Sequence, residues 1–123
     1  MGPEMGSTKV RVKVINPRDE RKFAEMELVV DSGAVYTVID GRKLRGMGVE
    51  STEKMEFHFI SNEKVIRGVG ISGIEVMGRK WLTNVVFGEE ADNEVLGVTT
   101  LAQLGLQIDP VKQEIRPLPL YLL

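Results

Sequence analysis

The sequence predicts an all-β domain with a closed, barrel-like sheet and one or two short helices, and three observations carry that reading. Runs of β-branched residues alternating with polar ones recur along the chain, turn residues separate them at short intervals, and only two segments have helical spacing. Thirteen glycines and five prolines in 123 residues supply the turns. A chain of this length forms one core, so residues 9–123 are expected to be a single domain. Residues 1–8, which begin MGPEMGS, are expected to be a disordered or expression-derived tail.

Each element follows from local pattern. KVRVKVI (residues 9–15) alternates valine or isoleucine with basic residues, as a half-buried strand does, and NPRDERK after it reads as a turn. FAEMELVV (23–30) is a second strand, which makes the start a hairpin. VYTVI (35–39) is β-branched and aromatic, and DGRKLRGMG (40–48) fits one or two helical turns closed by glycine. EKMEFHFI and KVIRGVGI form a hairpin around Ser61, Asn62 and Glu63. GIEVMGRKWLTNVVF repeats the pattern with Gly78 and Arg79 at its turn. Apolar Val98, Leu101 and Ala102 fit a second short helix over residues 98–104. LQIDPVKQEIRPLP closes with a strand pair around the turn at residues 109–113. About eight strands, mostly antiparallel, stand against two short helices.

Composition narrows the function classes. A formal net charge of −2 argues against nucleic acid and anionic membranes as partners. With no cysteine, disulfides, thiol nucleophiles and cysteine-ligated metals are excluded. His58 is the single histidine, too few for a histidine-rich metal site, and it reads as an ordinary strand residue. Neither a metal nor a cofactor is expected. No apolar run approaches a membrane span of about 20 residues, and the expected setting is cytoplasmic.

One acid breaks the apolar pattern. Asp31 follows the run LVV directly and is followed by Ser32 and Gly33. A carboxylate at the end of a buried strand would lose hydration, a cost that must be offset. The serine hydroxyl can donate a hydrogen bond, and glycine allows close approach of a backbone or substrate. Asp-Ser-Gly is also ordinary turn composition, so the triplet alone is weak. Its flanks add specificity.

LVVDSGAVYTVI (28–39), followed much later by VLG (95–97) and VTTLAQLGLQID, resembles the retroviral-type, or retropepsin-like, aspartic proteases. In that family a strand leads into Asp-Thr/Ser-Gly-Ala, and a later hydrophobic–hydrophobic–Gly triplet opens a helix. The likeness spans about residues 9–116. It implies that Asp31 is the catalytic acid, that Ser32 supplies a hydroxyl locking two subunits together, and that Gly33 presents backbone to substrate. Val29, Ala34, Val38 and Val95 would line substrate pockets, although plain core is as good a reading for the valines. Ile60, Ser61, Asn62 and Glu63 would form the tip of a flap hairpin. Gly97 would permit close packing beneath the acid loop. Retroviral members carry an acid and an arginine where this chain has Val35 and Val98, so an apolar pair would replace a charged one.

Aspartic protease chemistry needs two carboxylates around one water, and this chain has one suitable motif. Asp19, Asp40, Asp92 and Asp109 lack its setting. The resemblance therefore implies a homodimer acting on a peptide or protein substrate. Alternatives of other classes are a dimeric module that holds a peptide without cutting it, or serves only to dimerise, and a fragment of a larger enzyme. Gly68 and Gly70 would either free the flap's return strand or mark close packing. The apolar tail RPLPLYLL is expected to be covered by the partner subunit or to enter a substrate groove.

Overall fold

The computed structural model describes residues 8–123; of the expected tail at residues 1–8, residues 1–7 lie outside them, and Thr8 is instead the buried first residue of a strand. The first two strands, β1 (Thr8–Asn16) and β2 (Asp19–Val30), form the expected hairpin. The expected seven-residue turn NPRDERK shrinks to Pro17 and Arg18, with an irregularity in register at Asn16. Asn16 makes this possible: its Oδ1 accepts the Arg18 N–H at 2.7 Å, and its Nδ2 donates to the Met47 carbonyl at 2.7 Å. The one buried amide thus shapes the hairpin end and holds the end of the first helix.

β3 (Thr37–Asp40) runs into α1 (Gly41–Gly46), capped by the Asp40 carboxylate on the Arg42 N–H. β4 (Glu53–His58) and β5 (Lys64–Val76) form the next hairpin, and β6 (Arg79–Gly88) follows a tight turn. The two strand segments read separately within residues 64–76 are one continuous strand. β7 (Val95–Leu96) leads into α2 (Val98–Gln103), and β8 (Leu106–Asp109) pairs with β9 (Glu114–Pro117) around the expected turn.

The described residues are predominantly β, with nine strands and two short helices. The strand order β1-β2-β7-β3-β6-β5-β4 is closed into a ring by a further β1–β5 pairing, while β4 extends from β5 alone. The sheet is mixed, because β2–β7 and β3–β6 are parallel. Alternation could not reveal this, since a side chain's face is the same for either neighbour direction. Inside the ring lie Val12, Val14, Leu28, Ile39, Ile74 and Leu96, each at most 2% exposed, joined by Leu44 of α1 and Leu101 of α2. No described helix is long and apolar enough to cross a membrane.

Gly68 and Gly70 are packing glycines. A Cβ on Gly68 would collide with the Ser51 side chain, and one on Gly70 with the Glu50 carbonyl oxygen, because residues 50–52 cross directly over β5. Beyond Leu118, whose N–H donates to the Gly105 carbonyl at 2.7 Å, Leu120, Tyr121, Leu122 and Leu123 are exposed on the protomer.

Candidate active site

The acid loop lies between β2 and β3, and β7 is inserted between those two strands. Val29 and Val30 pair with Val95 and Leu96, while Val38 pairs with Val95 from the other side. Directly paired residues share a face, so Val29, Val95 and Val38 line up across three strands. All three are half-buried, whereas Val30, Leu96 and Ile39 on the opposite face are in the core. The three valines therefore form a wall below the acid loop.

The helix after β7 grips that loop through its main chain. The N–H groups of Val98 and Thr99 donate to the carbonyls of Ala34 and Val35 at 2.9 and 3.1 Å. Gly97 is buried beneath it: an added Cβ would lie 2.6 Å from the carbonyl oxygens of both Val35 and Tyr36. Its N–H donates to Thr37 Oγ1 at 3.0 Å. Thr37 Oγ1 and Thr100 Oγ1 are 2.6 Å apart, and Thr100 is hydrogen-bonded to Thr83 at 3.0 Å. All three threonines are buried. They join β3, β6 and α2 beneath the site, and none stood out in the sequence, because a threonine in a β-rich chain already has a local explanation. No buried side-chain nitrogen or oxygen among the described residues lacks a partner.

Asp31, Ser32 and Gly33 are exposed on the protomer, which corrects the expectation of a dehydrated acid. The strand ends at Val30, and the next residues turn outward, so the carboxylate keeps contact with water. Its Oδ1 accepts the Gly33 N–H at 2.8 Å, and the Ala34 N–H donates to the Asp31 carbonyl at 3.0 Å. Both bonds fix the carboxylate on a tight turn. Val35 is 59% exposed, so the apolar pair it forms in sequence terms with Val98 is not sealed within one protomer.

The other four aspartates are all occupied. Asp19 binds Arg21, and Asp40 caps α1 and binds Arg42, whose guanidinium lowers its pKa to about 2. Asp92 makes a two-pronged pair with Arg67, which lowers its pKa, and Arg67 is raised in turn. Asp109 accepts the Lys112 and Val111 N–H groups, which hold it below the usual range, and Arg116 adds to this. Asp31 alone among the aspartates of the described residues has no cationic partner. Groups of three or more histidine, aspartate or glutamate side chains suited to a metal do not occur among these residues.

These lowered carboxylates are expected to weaken the fold in acid. Each is more acidic folded than unfolded, so its contribution is complete above the ordinary aspartate pKa of about 3.9 and is lost as pH falls through the lower folded value. The melting temperature is expected to change little from pH 7 to about 5 and to fall between about pH 4 and 2. Circular dichroism melts at stepped pH check this, and a melting temperature already declining near pH 6 would contradict it.

The hairpin β4–β5 adjoins the acid loop through Phe57 and Tyr36. Its tip closes with Asn62 N–H to the Phe59 carbonyl at 2.8 Å and Phe59 N–H to the Glu63 carbonyl at 3.0 Å. Asn62 takes φ of 74°, a conformation asparagine tolerates. Ile60, Ser61, Asn62 and Glu63 are all exposed. His58 ends β4, with Nδ1 3.2 Å from Asn62 Oδ1. Tyr36 of the acid loop meets Phe57 of β4 edge to face, with centroids 6.0 Å apart. A groove of about 250 Å³ opens beside Tyr36, lined also by Met55, Val69, Ile71 and Asn84. A larger groove of about 350 Å³, around Ile15, Pro17, Trp81 and Leu82, includes no residue of the acid loop.

The arrangement is a single carboxylate hydrogen-bonded on a tight turn, walled by valines and neighboured by an exposed hairpin. Comparison with protein-family models gives no match, and neither does comparison with curated proteins.

Proposed function

We propose that the protein is a homodimeric, retropepsin-like aspartic endopeptidase that hydrolyses peptide bonds with one Asp31 from each subunit. The observation that carries this reading is the isolation of Asp31: four aspartates are committed to arginines, while the fifth is exposed, hydrogen-bonded only within its own turn and without a cationic partner, on the loop gripped by α2. A carboxylate held this way without a counter-charge is available for chemistry. A second acid must come from a second copy, related by a two-fold axis through the exposed loop.

In the dimer one carboxylate accepts a proton from the bridging water as that water attacks the scissile carbonyl. The other, protonated, donates to the leaving amide nitrogen. Hairpin β4–β5 would lie over an extended peptide, with Val29, Val38 and Val95 receiving its side chains. Exposed Val35, Leu120 and Tyr121 supply apolar surface of the kind an interface covers.

Digestion of a diverse peptide library by the wild type from acidic to neutral pH, with sedimentation of the same preparation, tests the reading. Dimers that cleave support it; a dimer that binds peptides and never cuts them supports the non-catalytic module. Ser32 gives a narrower test, since on this reading its hydroxyl lies at the two-fold contact. Ser32→Ala is expected to weaken the dimer by about thirtyfold, from two symmetric hydrogen bonds of about 1 kcal/mol each. An unchanged dimer dissociation constant would remove that role.

A further inference from the structure

We propose that Arg67 and Asp92 form a clasp that fixes the base of the β4–β5 hairpin to the loop leading into Val95, so that only the outer hairpin beyond Phe57, about residues 58–64, can open and close. Arg67 is a positioning residue on this reading. Its consequence for turnover rests on the peptidase function proposed above, whereas the mechanical claim stands without it.

The hairpin needs such a fixture. β5 pairs with β6 only from Val69 onward, so residues 53–68 form a ribbon of two strands that pair with nothing but each other. A two-stranded ribbon is marginal in water without support on one face. Two side-chain ties supply it, both on the face shared by Phe57 and Arg67, because the pairs Met55↔Arg67 and Phe57↔Val65 lie two residues apart along each strand. The first is the Tyr36–Phe57 contact near the middle. The second is Arg67, one residue before the ribbon leaves Gly68 to join β6 at Val69.

Arg67 is almost fully engaged. Its Nε lies 2.6 Å from Asp92 Oδ2 and its Nη2 3.0 Å from Asp92 Oδ1, and Nη1 donates to the Ile66 carbonyl at 3.0 Å. The guanidinium stands 5.9 Å from the Phe59 ring, and Glu89 approaches to 3.7 Å. The two side chains are only 12% and 10% exposed, unlike the open surface pairs elsewhere, so water competes little for this one.

Asp92 is itself held in place. Its Oδ2 accepts the Glu89 N–H at 2.7 Å and its own N–H donates to the Glu89 carbonyl at 2.8 Å. Two residues on, the Glu94 carboxylate accepts the Asp40 N–H at 3.0 Å and Lys43 Nζ at 2.9 Å. The loop is therefore pinned at both ends, and the next residue is Val95 of the valine wall. Through Arg67 the hairpin is referenced to the wall it must meet over a peptide. A lysine could keep the charge but not the two-pronged geometry.

Hydrogen exchange of the wild type, Arg67→Gln, Asp92→Asn and Arg67→Lys tests the clasp. In the first two variants amides of residues 57–68 are expected to exchange about tenfold faster or more, with β1 and β2 unchanged, and Arg67→Lys to fall between. Unchanged exchange in the ribbon would overturn the proposal, and so would acceleration spread evenly over the whole sheet, which marks a general stability role. Arg67→Lys retains a charge for Asp92 and serves where Arg67→Gln does not fold. Where the wild type cleaves peptides, KM is expected to rise about tenfold with kcat within about threefold. Absence of cleavage in the wild type removes the peptidase reading and leaves the exchange result to decide the clasp.

Discussion

Asp31→Asn is expected to fold and dimerise like the wild type and to lose peptide hydrolysis by about 10³-fold or more. The amide retains an Oδ1 that can accept the Gly33 N–H now at 2.8 Å, so the turn keeps its geometry. It cannot take a proton from water at the operating pH, and both copies in the dimer are changed at once. Melting temperature and sedimentation report the intact fold, and a library digest reports the loss. Retained cleavage by rigorously purified mutant would exclude the aspartic mechanism. Asp40→Asn and Asp92→Asn provide the contrast: those carboxylates bind Arg42 and Arg67, so their loss is expected to alter stability or hairpin motion before chemistry.

Gly97→Ala is the second large effect, and it acts through packing. The new methyl group would meet main-chain atoms of Val35 and Tyr36, including two carbonyl oxygens at 2.6 Å. Backbone cannot rotate aside as a side chain can, so either α2 or the acid loop must move. Moving α2 breaks the Val98 and Thr99 hydrogen bonds to Ala34 and Val35 and the Gly97 N–H bond to Thr37. A destabilisation of about 3 kcal/mol or more is expected, at the upper end for overpacking. Denaturant unfolding measures it. Gly46→Ala is the control, because a Cβ there meets nothing within 4 Å and removes only unfolded-chain freedom. Equal stability of Gly97→Ala and wild type would refute the proposed close approach.

Local pattern made much of this architecture legible. Alternation placed most strands within a few residues, and the two short helices lie within the segments read as helical. Asp31 stood out because an acid is the wrong residue for its apolar surroundings unless something specific needs it, and Gly97 through the resemblance carried by its VLG triplet. The structure brings them to adjoining segments, together with Val29, Val38 and Val95.

Other features depend on partners far apart in the chain. Thr37 and Thr100 are 63 positions apart, and Arg67 and Asp92 are 25 apart. Each of those residues is locally unremarkable, so no short window marks it. The exposure of Asp31 was misjudged for the same reason: an apolar run predicts burial of the strand, but where the chain turns out of the core depends on the whole ring. By itself, the sequence determined the strand periods, the two short helices and the acid-hydroxyl-glycine turn, because these follow from steric and hydrophobic preferences acting over a few residues. Tertiary structure alone decided the mixed ring, the threonine chain beneath the site and the arginine clasp on the hairpin, because these arise only when distant segments are forced to satisfy one another's polar groups inside a shared core.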